Sequence, residues 1–211
     1  MQNVLRTTAT ISVAALLSVG ALGGTASAME ARDATETFGR LTALNNSGVE
    51  GSAEAIVNGR SVVVDIDARK LLKGMPHAQH IHFGAKARHE CPTASDAGRD
   101  AQLTTTDGAP AYGPIKISLT TKGDTSPKSG LAVTRFPVAP KGTISYNRQL
   151  RTSDRVADAI RRGDAVYVLH GVDYNGNGKY DFNGNGKSEL DPSLPGEATD
   201  PAACTVLNVQ R

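Results

Sequence analysis

The chain has no tryptophan, four phenylalanines and five tyrosines in 211 residues, so its interior must be filled mainly by Val, Ile, Leu and Ala. Its two cysteines are too few for a disulfide-dense scaffold or a four-thiolate zinc site. Net charge is nearly absent. The 23 Lys+Arg against 21 Asp+Glu leave +2, which lacks the basic excess expected of a nucleic-acid binder. No Gly-x-Ser-x-Gly, phosphate-loop or dinucleotide fingerprint occurs. Gly (22) and Pro (10) stay below the level of low-complexity disorder but predict many turns.

A long apolar run is also missing. A bilayer span needs about 20 such residues, and the charge-free stretch 11–22 is cut short by Gly20, Gly23, Gly24 and Thr25. Arg6 before that stretch and Ala26-Ser27-Ala28 after it have the form of a secretory signal. The expectation is a signal peptide at 1–28, cleavage after Ala28, no membrane anchor thereafter, and one exported domain at 29–211 carrying +1. Two thiols in an oxidising compartment pair, so Cys91 and Cys204 are expected to form a disulfide. The loop it closes is worth about 4–5 kcal/mol in the chain-entropy model. Asn45-Asn46-Ser47 is a glycosylation sequon, relevant only in a eukaryotic host.

Within 29–211 the pattern is of short strands separated by Gly, Pro, Asn and Asp. They fall at 37–44, 53–57, 61–66, 79–83, 115–121, 131–138, 143–150, 165–172 and 205–209. Asn58-Gly59 suits the centre of a two-residue hairpin turn. One helix is expected at 153–162, with Ser153 as N-cap and Gly163 as its stop. These elements predict an all-β fold, a Greek-key antiparallel sandwich or barrel with one short helix.

Four of the five histidines fall within residues 77–89. Alternate strand residues share a face, so His80 and His82 project together while Gln79, Ile81 and Phe83 project oppositely. His170 ends a stripe of Val166 and Val168 and needs a partner. Three imidazoles suit copper, zinc, nickel or iron, with copper favoured by intrinsic affinity. His77 or His89 can complete the set, and His89 is carried as the candidate fourth ligand. Asp65 and Asp67, opposite Val64 and Ile66, read as a solvated strand face.

The stretch from Gly51 through "VVVDIDARKLLKGMPHAQHIHFG" resembles the copper/zinc superoxide dismutase segment that carries its first copper ligands, and His80 and His82 match those positions. "VYVLHGVD" resembles the strand with a further copper ligand, at His170, and "AACTVLNV" the last strand with its cysteine, Cys204. Residues 93–150 match weakly. The chain is also similar to chordin-type CHRD domains at 78–84 and 157–171. Dismutases have a histidine bridging copper and zinc and an arginine shortly before the second cysteine. This chain has no histidine between His89 and His170 and reads Asp200-Pro201-Ala202-Ala203-Cys204. No zinc site is therefore expected, and catalysis loses support.

Segment 171–203 carries −4, a charge that would repel superoxide. Within it, Asp173, Asn175, Asn177 with Asp181, and Asp181, Asn183, Asn185 with Glu189, repeat with a period of eight. Oxygen side chains at positions 1, 3 and 5 with Gly at 6 resemble the start of a calcium loop, although Gly184 and Pro192 stand where the bidentate acid belongs. The expectation from sequence is an exported CHRD or dismutase-like β domain whose partner is a metal ion. Copper-dependent dismutation and a calcium-stabilised interaction protein stand as alternatives.

Overall fold

The structure is a computed structural model and describes residues 34–99 and 101–210. The signal peptide expected at 1–28 lies outside those residues. Among the described residues no helix is long and apolar enough to cross a membrane.

Among the described residues ten strands form two antiparallel five-stranded sheets. The first sheet contains β1 (Thr35–Arg40), β3 (Glu50–Asn58), β4 (Ser61–Arg69), β7 (Thr143–Arg151) and β10 (Asn208–Val209), in the order β10-β1-β3-β4-β7. The second contains β2 (Thr42–Ala43), β5 (Gln79–His82), β6 (Ile115–Ser118), β8 (Val166–His170) and β9 (Pro201–Val206), in the order β2-β9-β8-β5-β6. The two sheets remain separate, so the fold is a sandwich and the barrel alternative is corrected.

Alternation builds the interior. Ala53, Ala55 and Val57 of β3, Val62, Val64 and Ile66 of β4, and Ile144 and Tyr146 of β7 face Ile81, Ile117, Tyr167 and Leu169 of the second sheet in one buried cluster. Asp65 and Asp67 lie on the opposite face of β4, and Asp65 accepts a hydrogen bond from Asn147 Nδ2 at 2.9 Å.

Several expected boundaries move, each for a local reason. The expected strand 37–44 breaks at Leu41, with β1 in one sheet and β2 in the other. Asn58 stays in the ladder opposite Ser61, so the hairpin turn is Gly59-Arg60. There Gly59 alone has positive φ, 56°, which suits a turn requiring glycine at its first central position. Segment 131–138 is no strand: a 3-10 turn (Val133–Arg135) forms, and the chain covers the outer face of the second sheet. An unexpected helix, α1 (Thr105–Tyr112), opens on a capping box in which Thr104 Oγ1 accepts from Asp107 N and Asp107 accepts from Thr104 N. The expected helix is α2 (Asp154–Arg162), capped by Ser153 and closed by Gly163 at φ 77°. Two four-residue helices, α3 (Phe182–Asn185) and α4 (Gly196–Thr199), interrupt the acidic segment.

Cys91 and Cys204 form a disulfide that ties the loop after β5 to β9. Such a bond suits an oxidising compartment. Asn45, the sequon asparagine, donates to Leu103 O at 2.8 Å and to Pro201 O at 3.0 Å and accepts from Leu103 N at 2.8 Å. Its amide is therefore part of the fold.

Candidate metal centre

The outer face of the second sheet carries the candidate site. Tyr167 and Leu169 of β8 and Ile81 of β5 point into the sandwich, so the alternate residues His80, His82, Val168 and His170 point outward. β8 lies antiparallel to β5, with His80 opposite Val168. Pairing shifts register between Ile81 and His82 on one side and between Leu169 and His170 on the other. The skipped residues, Lys116 and Ala202, lie on the partner strands β6 and β9, so the histidine strands keep their regular alternation.

One nitrogen of each of His80, His82 and His170 lies within 4.8 Å of the others, and all three side chains are buried. The remaining ring nitrogens are held by backbone carbonyls. His80 Nε2 donates to Gly130 O at 3.0 Å, His82 Nδ1 to Gly113 O at 2.7 Å, and His170 Nδ1 to Thr199 O at 2.6 Å. A carbonyl can only accept, so in the neutral ring each of these nitrogens carries the hydrogen. The lone pairs therefore sit on His80 Nδ1, His82 Nε2 and His170 Nε2. Those three atoms are buried, and none has a hydrogen-bond partner among the described residues.

Burial also keeps the rings neutral. It pushes the His82 pKa down to about 3, with His170 and Lys116 adding to the effect against the Gly113 hydrogen bond. It pushes His170 down to about 4 against the Thr199 hydrogen bond. His80 lies well below its ordinary value, through burial first and then the neighbouring His170 and His82. Three buried lone pairs left unpaired would each carry a desolvation cost. A metal ion removes that cost, and the donor set of three neutral imidazoles fits a late first-row ion.

The surroundings lock this geometry. Tyr112 packs against His82 with ring centroids 4.5 Å apart, and Phe136 against His80 at 5.2 Å. Gly113, whose carbonyl holds His82, has φ 81°, and a Cβ there would come 2.8 Å from Gly84 N. Beside His80 and His170 lies a cavity of about 10 Å³ lined also by Ala78, Ile115, Leu131, Val133 and Leu190 with Thr105 and Thr199. Both hydroxyls are engaged: Thr105 Oγ1 donates to Thr199 O, and Thr199 Oγ1 donates to Ser188 Oγ. No charged side chain is among its lining residues.

The other expected residues fall elsewhere. His89 is not in the triad: it has φ 59°, its Nε2 meets Gly84 O at 2.8 Å and its Nδ1 faces Asp164 at 3.7 Å. Its candidacy rested on closeness in sequence, and the turn after Phe83 carries it to a different set of partners. His77 is buried with Nδ1 3.0 Å from His170 O and Nε2 3.3 Å from Leu72 O, bracing the strand end that bears His170. Tyr180 Oη packs on the same ring at 3.1 Å from Nδ1.

In the acidic segment the first repeat closes on itself. Asp173 accepts from Asn177 N and Gly178 N at 3.2 and 2.8 Å. Asn175 and Asn177 both turn their amides to Asp181, at 3.3 and 2.7 Å. The second repeat opens out: Asn183 is exposed, Asn185 donates to Asp200 at 2.5 Å, and Glu189 accepts from Thr104 Oγ1 at 2.9 Å. Two of the segment's acids are internal. Glu197 accepts from the backbone of Tyr174 and Asp181, both at 2.8 Å, and burial raises the Asp200 carboxyl to about 7. Sequence reasoning missed the carbonyls of Gly113, Gly130 and Thr199, which no side-chain pattern marks.

Fold and site together define a two-sheet β sandwich with a buried three-histidine cluster able to hold a metal ion. A scan against protein-family models and a search of curated proteins each find no match to the sequence. Among solved structures the chain is similar to the Cu/Zn superoxide dismutase from Brucella abortus, at 14% identity over 82% of this chain and 99% of that one, with a TM-score of 0.42. A likeness of that degree assigns neither family nor activity.

Proposed function

We propose that this chain is an exported β-sandwich module of the CHRD or dismutase-like kind that binds copper through His80 Nδ1, His82 Nε2 and His170 Nε2. One observation carries the reading: three buried histidines each spend one nitrogen on a carbonyl and leave the other unpaired, and one nitrogen of each ring lies within 4.8 Å of the others. When bound, copper supplies one-electron redox chemistry and a Lewis acid. The chain's own part is to fix the tautomers through Gly113, Gly130 and Thr199 and to exclude water with Leu131, Leu190 and Val133. The Cys91–Cys204 disulfide and the signal-like residues 1–28 support export.

Holding metal is favoured over dismutation because no cation lines the cavity to draw in superoxide. The test is to offer copper to the purified chain under oxidising and under reducing conditions, then measure bound metal and superoxide decay. The reading expects one copper per chain in at least one condition, its loss in His80→Ala with His82→Ala, and no acceleration of superoxide decay. Absence of stoichiometric copper in both conditions removes it. Rapid decay replaces it with the dismutase alternative.

A second reading, calcium at the first repeat, is supported by the convergence of Asp173, Asn175, Asn177 and Asp181. To offer an ion their oxygens, Asn175 and Asn177 would have to give up the hydrogen bonds that those oxygens accept from Asn177 N at 3.1 Å and Lys179 N at 3.2 Å. Calorimetric titration decides this point: heat of binding that disappears in Asp181→Asn supports it, and no heat at millimolar calcium refutes it.

A further inference from the structure

The three donors are neutral, so the charge of the filled site is the charge of the ion. Among the described residues no carboxylate or thiolate joins the triad, and the hydrogen-bond partners of its rings are three backbone carbonyls. The cost of burying an ion grows with the square of its charge. A divalent ion in this pocket therefore pays about four times the desolvation of a monovalent one, with no anion to offset it.

Coordination number points the same way. Cu(II) favours tetragonal surroundings with four or more donors, and the fourth would have to be water. A water needs roughly 10–15 Å³ and two to four polar partners. The cavity beside His80 and His170 offers about 10 Å³, the bottom of that range, with apolar walls from Ile115, Leu131, Val133 and Leu190, and the protons of its two threonine hydroxyls are committed to Thr199 O and Ser188 Oγ, so neither can donate to a water.

We infer that the site selects copper by oxidation state, taking Cu(I) on three nitrogens in preference to Cu(II), and that Leu131 and Leu190 set this preference by keeping a fourth ligand out. The inference rests on the copper-binding reading above and names the ion's oxidation state. Leu131 and Leu190 are 36% and 45% exposed, so both can be exchanged without emptying the core.

The experiment measures both affinities on the disulfide-intact chain by competition: Cu(I) held anaerobically with ascorbate against a chromogenic Cu(I) chelator, and Cu(II) against glycine. The expected result is Cu(I) binding at least about 100-fold tighter than Cu(II). That preference raises the bound couple's one-electron potential by about 120 mV relative to free copper, at 59 mV per tenfold. In Leu131→Ser with Leu190→Ser, which admits water and offers it partners, the preference is expected to shrink about tenfold. X-ray absorption should show three nitrogen donors on Cu(I). Equal or tighter Cu(II) binding, or a preference untouched by the double substitution, overturns the inference. Absence of copper in both oxidation states overturns the underlying reading instead.

Discussion

The metal-free protein should lose stability steeply as pH falls from 7 to 5. His80, His82 and His170 are buried as neutral rings, with folded pKa values held far below the ordinary 6.5, at about 3 for His82 and about 4 for His170. In that window the unfolded chain takes up protons that the folded chain refuses, so stability is fully present above pH 6.5 and drains away below it. Each ring gives up about 2 kcal/mol by pH 5, or about 6 kcal/mol for the three. Asp200 works in the opposite direction. Its folded pKa near 7 lies above the ordinary 3.8, so the folded state gains a proton first and is stabilised on acidification. That term returns about 2 kcal/mol over the same range. The net expectation is a loss of about 3–4 kcal/mol, a large part of the 5–15 kcal/mol typical of a domain. Urea unfolding at pH 7, 6 and 5, with the disulfide intact and chelator present, measures it directly. Asp200→Asn removes the opposing term and should make the loss steeper by about 2 kcal/mol. A flat profile, or stability that rises toward pH 5, would refute buried neutral imidazoles as the basis of the site.

Reducing the Cys91–Cys204 bond frees a loop of 113 residues and should lower stability by about 4–5 kcal/mol, read by denaturant unfolding with and without reductant. A change below about 1 kcal/mol would mean that the loop is already constrained in the unfolded chain. Gly171→Ala should destabilise by at least about 2 kcal/mol and weaken metal binding. Gly171 has φ 111°, and an added Cβ would sit 2.1 Å from Tyr180 Oη and 2.9 Å from His77 Nδ1, against the strand end that carries His170. Thermal unfolding and a metal titration of that variant check both effects, and wild-type values in both would contradict the account of His77 and Tyr180 as a brace.

Local patterning made the strands that carry the site legible. The alternation in Gln79-His80-Ile81-His82 and in Val166-Tyr167-Val168-Leu169-His170 fixes which side chains share a face, since a one-residue slip would bury the wrong set. The pairing of β5 with β8, which brings the two groups together, is a long-range contact that no local pattern encodes. Helix α1 was hidden because Gly108 and Pro110 argue against a helix, although Thr104 and Asp107 form its capping box. Segment 131–138 misled because Val133, Phe136 and Val138 look strand-like. In the fold Phe136 packs on His80, and the segment serves as cover. The carbonyls that set the tautomers were beyond reach, because any residue type can supply a carbonyl.

The central claim is about three particular atoms, and anomalous diffraction at the copper edge from copper-loaded crystals reads them. The account predicts a single strong peak at bonding distance from His80 Nδ1, His82 Nε2 and His170 Nε2, with the opposite nitrogens still on Gly130, Gly113 and Thr199. A peak elsewhere, or none between these rings, would contradict it.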